Sequence, residues 1–291
     1  MSPVGLRPAS SPSERPFMQH PSFGLIIVGD EILSGKRQDA HFSKVREMLQ
    51  QVGLSLAWVH YAGDDREALV RLYRQAAGSG DIVFSCGGIG ATPDDHTRQA
   101  VAMALGEPLV LHPEAKPLIL SRVKALCESR GEPFDPDSAE TRGRLEMGEF
   151  PAGAEIIPNP FNQIPGFSVG DLHCVPGFPV MAHPMIESLI HGRYAHLHRQ
   201  SSWVERSFIL PGAIEGQLTP LMQAVEARFP ELKIFSLPSV DHPQWGRHVE
   251  LGVKHPDGDW GLVDQGMAMI REDLHARGQV IALEMRRPDA P

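Results

Sequence analysis

Short apolar runs and helical periodicity alternate along the chain from Phe23 onward. Apolar runs that stop near a glycine predict three strands, at residues 23–28, 54–61 and 81–86. Apolar positions three and four residues apart predict the helices that follow them, at residues 42–52, 67–77 and 92–105. This order predicts a parallel sheet with helices on both faces, because each crossover returns the chain to the same end of the sheet.

A different order of elements follows in the later part of the chain. Weaker strand patterns at residues 155–157 and 171–175 and a helix at 180–190 precede a polar segment, residues 191–202, which we interpret as a linker. Beyond it, strands are predicted at residues 207–210, 232–237, 248–253 and 280–285, and helices at 214–229 and 262–277. That is the β-α-β-β-α-β order of a ferredoxin-like fold.

These patterns predict the fold class and a division into domains. We expect an α/β fold in which a three-layer α/β/α domain with a mostly parallel sheet, residues 23–200, precedes a small ferredoxin-like α+β domain, residues 203–288. Residues 1–22 are rich in Pro and Ser and lack the apolar core of a secretion signal, which predicts a disordered N-terminal tail.

Composition and charge exclude several classes of protein. The 291 residues carry a formal net charge of −9, so no nucleic acid is expected as a partner. No apolar run approaches the ~20 residues that a membrane helix needs, so no membrane partner is expected either. The 3 cysteines, Cys86, Cys127 and Cys174, lack CxxC spacing, and we interpret them as reduced thiols of a cytoplasmic protein.

Acidic pairs follow the predicted strands of the first domain. They are Asp30-Glu31, Asp64-Asp65 and Asp94-Asp95. Because parallel strands end at one edge of a sheet, where open α/β folds bind their ligands, we expect all three pairs to face one crevice. Crowded carboxylates repel one another, and a bound cation such as Mg²⁺ is the simplest way to keep them ionised.

A glycine-rich turn, CGGIGATPDDHT, joins the third strand to the next predicted helix at residues 86–97. Glycines allow backbone amides to approach a ligand closely, so the amides of Gly87, Gly88 and Gly90 are expected to bind phosphate. Thr92 and Asp95 have the spacing of a capping box, which leaves Asp94 as the freer carboxylate. The turn does not continue as a GxGxxG dinucleotide fingerprint.

The motifs of the first domain resemble a known family. They are GDEILSG at residues 29–35, GDD at 63–65, GGIGATPDDHT at 87–97, PNP at 158–160, PGF at 165–167 and PGFP at 176–179. Together they are similar to the molybdenum cofactor biosynthesis (MoCF) domain, which is molybdopterin-binding and MogA/MoaB-like. The set most resembles the CinA branch, competence/damage-inducible protein A, and the related domain of FAD synthases.

The resemblance implies a site for a phosphorylated ligand and a divalent cation, Mg²⁺ or Co²⁺, as cofactor. The expected catalytic residues are Asp64, Asp95 and Asp94, and the expected metal ligands are Asp64, Asp95 and Asp30. The expected substrate- and phosphate-binding residues are Gly29, Asp30, Glu31, Gly35, Gly87, Gly88, Gly90, Thr92, Thr97, Pro176 and Gly177. The expected partners are a small-molecule nucleotide or pterin ligand, with molybdopterin as the pterin candidate, and a second copy of the chain in a homodimer.

Three functions remain open at this point. The leading hypothesis is a metal-dependent nucleotide pyrophosphatase of the CinA type, which hydrolyses ADP-ribose or an FAD-like dinucleotide to AMP. A non-catalytic molybdopterin- or nucleotide-binding protein is the first alternative, because His41 stands where the family has Asn and residues 162–164 depart from its Gly-Thr-Ala. Molybdopterin adenylyl transfer in molybdenum cofactor biosynthesis is the second. The sequence lacks the amidohydrolase domain of CinA, so we do not expect deamidation of nicotinamide mononucleotide.

Overall fold

A computed structural model describes residues 22–198, 204–256 and 258–287 of this protein. The tail predicted over residues 1–22 lies outside this part of the chain, except for Ser22. Within the described residues, no helix is both long enough and apolar enough to span a bilayer.

The first block of elements runs from Phe23 to His191. Its elements are β1 (Phe23–Val28), α1 (Asp30–Leu33), α2 (His41–Gln51), β2 (Leu56–Ala62), α3 (Arg66–Gly78), β3 (Ile82–Cys86), α4 (Thr97–Leu105), β4 (Leu109–Leu111), α5 (Ala115–Arg130), α6 (Ala139–Leu145), β5 (Glu149–Pro151), β6 (Glu155–Ile157), β7 (Gly166–Val169), β8 (Leu172–Val175) and α7 (Pro179–His191). Short 3₁₀ helices lie at Glu146–Gly148 and Ala195–Leu197.

A six-stranded sheet organises this block, in the order β2-β1-β3-β8-β7-β6. Strands β2, β1, β3 and β8 are parallel, whereas β7 and β6 pair antiparallel. The prediction of a mostly parallel α/β sheet is therefore confirmed. The four parallel strands all end at the same edge of the sheet. The glycine-rich turn follows β3 at this edge.

Helices cover both faces of this sheet, and strand β1 shows how the sequence achieves it. Ile26 and Val28 pack into one core with α3, α4 and α5, whereas Leu25 and Ile27 pack into another with α2 and α7. Since side chains alternate between the faces of a strand, a strand covered on both sides must be apolar throughout. All six residues of β1 are buried, which explains why its predicted and observed bounds coincide.

The second block has the predicted ferredoxin-like order. Its elements are β9 (Val204–Pro211), α8 (Glu215–Arg228), β10 (Lys233–His242), β11 (Gly246–His255), α9 (Trp260–Ala276) and β12 (Leu283–Arg287). The strands form one antiparallel sheet in the order β10-β11-β9-β12. Side chains of α8 and α9 pack on this sheet around Phe208, Leu251 and Ile270 to form a separate core.

Two local predictions were wrong. Helix α4 begins at Thr97, five positions after the predicted start at Thr92, so Thr92 and Asp95 form a turn rather than a capping box. The Thr97 amide donates to Gly88 O at 2.9 Å, and this contact with the glycine turn sets the start of the helix. The linker predicted over residues 191–202 is folded as far as residue 198, and Tyr194 is buried in the core beside α7. Its last residues, 199–202, lie outside the described part of the chain.

Candidate active site

A cavity of about 400 Å³ opens at the edge of the sheet where the parallel strands end. The segments that follow β1, β2, β3 and β8 all contribute to its wall, as expected for a ligand site of an open α/β sheet. The loop before β7 and the 3₁₀ helix at Glu146–Gly148 complete it. The cavity therefore lies where the motifs of the first domain come together in space.

Most of the predicted site residues line this cavity. They are Gly29, Glu31, Asp64, Gly87, Gly88, Gly90, Thr92, Asp94, Asp95, Pro176 and Gly177. Three predicted residues do not line it. Asp30 and Gly35 are exposed on the segment after β1, and Thr97 is buried behind the glycine turn.

The glycine turn has a backbone that other residues would not adopt without strain. Gly87 has φ +109 and Gly88 has φ +69. A Cβ atom on Gly87 would lie 2.3 Å from Val28 O, and one on Gly88 would lie 2.4 Å from Thr97 Oγ1. Glycine is thus required by both conformation and space.

Two carbonyl groups of the glycine turn accept hydrogen bonds from Thr97, the first residue of α4. Thr97 Oγ1 donates to Gly87 O at 2.9 Å, and the Thr97 amide donates to Gly88 O. In a trans peptide the N–H group points opposite to the preceding carbonyl, so the amides of Gly88 and Ile89 point away from α4. Thr97 is a positioning residue in this arrangement.

The turn presents backbone amides that are free to bind a ligand. Within the described part of the chain, the amides of Gly88, Ile89, Gly90 and Ala91 donate no hydrogen bond, and all four residues line the cavity. The Gly87 amide differs from the prediction, because it donates to Val175 O at 3.0 Å. Successive free amides of this kind form an anion-binding concavity.

Asp64 is held at the cavity wall by a reciprocal contact with Asp30. The Asp30 amide donates to Asp64 Oδ2 at 3.0 Å, and the Asp64 amide donates to Asp30 Oδ1 at 3.2 Å. Gly63 makes room for this contact, since a Cβ atom there would lie 2.5 Å from Asp30 Oδ1. Asp30 therefore positions Asp64 from outside the cavity.

Asp64 is both partly buried and close to other carboxylates. Burial raises the pKa of the Asp64 carboxyl, and the negative charges of Asp30, Glu31 and Asp94 raise it further, against the hydrogen bond from the Asp30 amide. Asp95 is held by Thr92, whose amide donates to Asp95 Oδ2 at 2.9 Å and whose hydroxyl donates to the same oxygen. The cavity wall therefore carries several carboxylates whose negative charges repel one another.

One part of the cavity wall is apolar. It consists of Met147, Ile164, Pro165, Phe178 and Met181. Phe178 is 54% exposed although it is large and aromatic, so its ring is accessible to a ligand. The sequence motifs PGF and PGFP contain two of these residues, and Ile164 lies in the segment 162–164 that departs from the family pattern, whereas Met147 carried no signal.

Polar residues that the sequence analysis did not select also line the cavity. Arg37 is an exposed cation on the wall. Asn159 is buried, and its Nδ2 donates to Asn162 Oδ1 at 2.8 Å and to Ile164 O at 2.9 Å, which shapes the loop before β7. The PNP motif, which contains Asn159, was the signal available for this role.

The donor atoms of the cavity suit a hard cation that also binds phosphate. Among the described residues, no three His, Cys, Asp or Glu side chains are grouped so that they could hold a metal ion alone. Mg²⁺ bound largely through substrate phosphates needs only one or two carboxylates, and the carboxylate oxygens of Asp64 and Asp95 are ligands of that type. The residues thus fit a cation that arrives with a phosphorylated ligand.

Comparisons with known proteins agree with this picture. A protein from Pyrobaculum calidifontis is 29% identical over 264 residues, which are 88% of this chain and 97% of that protein. A CinA-like protein from Anaeromyxobacter sp. (strain Fw109-5) is 36% identical over 160 residues, which are 54% of this chain. The chain spans only 37% of the length of that CinA-like protein.

A solved structure and a protein family extend the likeness. The crystal structure of the protein CinA from Thermoplasma acidophilum, whose function is given as unknown, has a TM-score of 0.50 and 25% identity; the match covers 58% of this chain and 97% of that one. Residues 24–196 match the family described as "Probable molybdopterin binding domain". Because this match covers more than half of the chain, the protein belongs to the molybdopterin-binding domain family, with CinA-like proteins among its relatives.

Proposed function

We propose that this protein binds a phosphorylated nucleotide in the cavity and hydrolyses its pyrophosphate bond, with ADP-ribose or FAD as substrate and AMP as a product. The observation that carries the proposal is that the free amides of the glycine turn and the crowded carboxylate of Asp64 line the same cavity. A site that bound phosphate alone would gain nothing from carboxylates beside it. A site that binds a divalent cation together with phosphate needs such carboxylates as ligands of the cation.

Each wall of the cavity has a part in this reaction. The amides of Gly88, Ile89, Gly90 and Ala91 bind phosphate oxygens, and Asp64 and Asp95 would hold the divalent cation. A bound divalent cation neutralises charge that develops on the phosphoryl group and acidifies the attacking water. The apolar wall around Phe178 binds the flat ring of the ligand.

The hydrolytic step balances with groups that are present in the cavity. The water oxygen forms a bond to one phosphorus, and the bridging oxygen leaves with the other phosphate. Asp94, which is exposed on the cavity wall, accepts the proton of the water and returns it to solvent. The phosphate that leaves stays bound to the amides of the turn until the product dissociates.

The test compares two neighbouring carboxylates. Purified protein is incubated with ADP-ribose or FAD and Mg²⁺ or Co²⁺, and AMP is measured by phosphorus NMR. We expect Asp64→Asn to slow AMP release by about a hundredfold or more, because it removes a charge that acts on the transition state. Asp65→Asn should retain activity, since Asp65 lies outside the cavity and caps α3 through a 2.7 Å bond from Ala68 N, which Asn can also accept.

Binding without turnover is the second candidate. It is favoured by the departure of residues 162–164 from the family's Gly-Thr-Ala, since Asn162 and Ile164 line the cavity. Tight binding of ADP-ribose, FAD or molybdopterin without AMP release, and without adenylylation of molybdopterin from ATP, would establish this alternative. Adenylylation without ADP-ribose cleavage would instead identify a molybdopterin adenylyltransferase.

A further inference from the structure

Arg98 is a buried cation on the first turn of α4, directly behind the glycine turn. Its side chain is only 2% exposed, and its guanidinium donates to backbone carbonyls rather than to carboxylates. Among the described residues, Arg98 forms no ion pair within 4.0 Å. Buried arginines are normally paired with an acidic group, so the burial of this charge needs an explanation.

The carbonyls that Arg98 binds belong to two separate walls of the cavity. Nη2 donates to Gly90 O in the glycine turn at 2.8 Å. Nη1 donates to Glu146 O and lies 3.5 Å from Glu149 O, in the segment that contains Met147. The guanidinium is planar and rigid, so these contacts fix the distance between the turn and the apolar wall.

The contact with Gly90 O also determines where the next amide points. Because the Gly90 carbonyl points toward α4, the N–H group of Ala91 points in the opposite direction. Ala91 lines the cavity, and within the described chain its amide has no acceptor. Arg98 therefore orients a peptide group at the end of the glycine turn, as Thr97 orients peptide groups at its beginning.

The positive charge of Arg98 lies behind a cavity wall that carries several negative charges. Glu31, Asp64, Asp94 and Asp95 all line the cavity, and together they repel an anion. A guanidinium stays protonated in proteins, so Arg98 provides a permanent positive charge behind the peptide of Gly90. The peptide between Gly90 and Ala91 lies between this guanidinium and the ligand. Its dipole is oriented by the hydrogen bond from Arg98.

From this geometry we propose that Arg98 is a positioning residue for anion binding, which orients the Ala91 amide into the cavity and offsets the negative charge of its wall. The inference rests on the proposed phosphate site but not on hydrolysis. It assigns to one buried side chain both the shape of the glycine turn and its affinity for phosphate.

The test measures binding of inorganic pyrophosphate in Mg²⁺ buffer by calorimetry, for the wild type, Arg98→Met, Arg98→Lys and the control Val101→Ala. Val101 is fully buried on the same helix and faces the core, so its truncation lowers stability without touching the turn. We expect Arg98→Met to weaken binding about tenfold or more. Arg98→Lys should weaken it about threefold, since it retains the charge but cannot span both carbonyls.

A second measurement tests the orientation of the peptide between Gly90 and Ala91. In nitrogen–proton NMR spectra, pyrophosphate should shift the amide signal of Ala91 in the wild type and in Val101→Ala but not in Arg98→Met. If Arg98→Met does not fold, Arg98→Lys takes its place, and unchanged affinity in that variant would overturn the inference.

Other outcomes also count against the inference. Wild-type affinity in folded Arg98→Met, an equal loss in Val101→Ala, or no pyrophosphate binding by the wild type would each overturn it. A wild-type protein that binds pyrophosphate but releases no AMP from ADP-ribose or FAD would reject the proposed hydrolysis and leave the role of Arg98 intact.

Discussion

The cavity of the first domain and the sheet of the ferredoxin-like domain differ in how their acidic side chains are partnered. In the ferredoxin-like domain, Arg206 contacts Asp264 at 2.5 Å and also contacts Glu284, and Glu284 in turn contacts Arg271 at 2.6 Å. In the first domain, the carboxylates that line the cavity have no such partners among the described residues. Charges are thus paired around Glu284 in the ferredoxin-like domain, whereas, within the part of the chain that the structure describes, the carboxylates at the cavity of the first domain are not.

This difference indicates which acidic residues serve the fold and which serve a ligand. A carboxylate with an arginine partner has its charge compensated within the folded chain. Asp64 is instead partly buried and crowded by like charges, and burial first and these charges second raise its pKa, at a cost in stability that the fold alone would not require. The ligand site is thus the region where the chain tolerates unfavourable electrostatics.

The largest expected effect comes from Gly87→Ala, with Gly252→Ala as its match in the other domain. In both cases the new Cβ would collide with a backbone oxygen, at 2.3 Å from Val28 O and at 2.5 Å from Arg206 O. We expect each variant to lose about 3 kcal/mol of unfolding free energy or more. Only Gly87→Ala should also abolish binding of ADP-ribose, because only Gly87 lines the cavity.

Urea unfolding and calorimetry of both variants check this prediction. If Gly252→Ala weakens ligand binding as strongly as Gly87→Ala at a temperature where both are folded, the assignment of the ligand site to the first domain fails. The expected result is a similar loss of unfolding free energy in both variants, with loss of ADP-ribose binding in Gly87→Ala only.

A smaller effect is expected from pH, through His173 on β8. Its ring is fully buried between Ser168 Oγ, at 2.7 Å, and the hydroxyl of Tyr194, and burial lowers its pKa to about 4. The unfolded chain binds this proton near pH 6.5, so the folded state is favoured above that value and loses stability as the pH falls toward 4. The loss amounts to about 3 kcal/mol over this interval.

Urea unfolding of the wild type and of His173→Gln between pH 7 and pH 4 tests the assignment. Most of the decline should be absent in the variant, although its stability at pH 7 is lower. An equally steep decline in His173→Gln would place the acid sensitivity elsewhere, for example in the carboxylate pairs of the ferredoxin-like domain.

Glu284→Gln tests the paired side of the comparison. The substitution leaves Arg206, which is only 20% exposed, without one of its two carboxylates, and we expect a loss of about 2 kcal/mol. Glu140→Gln is the matched control, because Glu140 is 62% exposed in its pair with Arg144 and should cost about 0.5 kcal/mol or less. AMP release should be unchanged in both, and a change in Glu284→Gln would contradict the separation of roles.

Sequence patterns identified the sheet and most of the cavity, because both depend on local signals. A fully apolar strand such as β1 and a turn such as Gly87 to Gly90 have few alternative interpretations. Helix α5 was missed because only Ala115, Ile119 and Val123 are buried on it, one residue per turn. A stripe that narrow does not stand out from the surrounding polar residues.

The start of α4 and the role of Arg98 were missed for a different reason. Thr92, Pro93 and Asp95 satisfy the local pattern of a helix start, but the backbone of the glycine turn binds Thr97 instead. Arg98 acts through Glu146 O, which is 48 residues away in the chain. Contacts of that separation depend on the folded topology and leave no periodic trace in the sequence.

Phe178→Ala is expected to have the smallest effect and concerns the apolar wall of the cavity. Phe161→Ala is its control, because Phe161 is similarly exposed, at 57% against 54%, but does not line the cavity. Loss of ring stacking costs about 1 kcal/mol, so the KM for ADP-ribose or FAD should rise about fivefold while kcat stays the same. The affinity for inorganic pyrophosphate, which has no ring, should not change. Equal effects of Phe178→Ala on pyrophosphate and on ADP-ribose would show that Phe178 shapes the turn rather than contacts the ligand, and the division of the cavity into a phosphate wall and a ring wall would then be wrong.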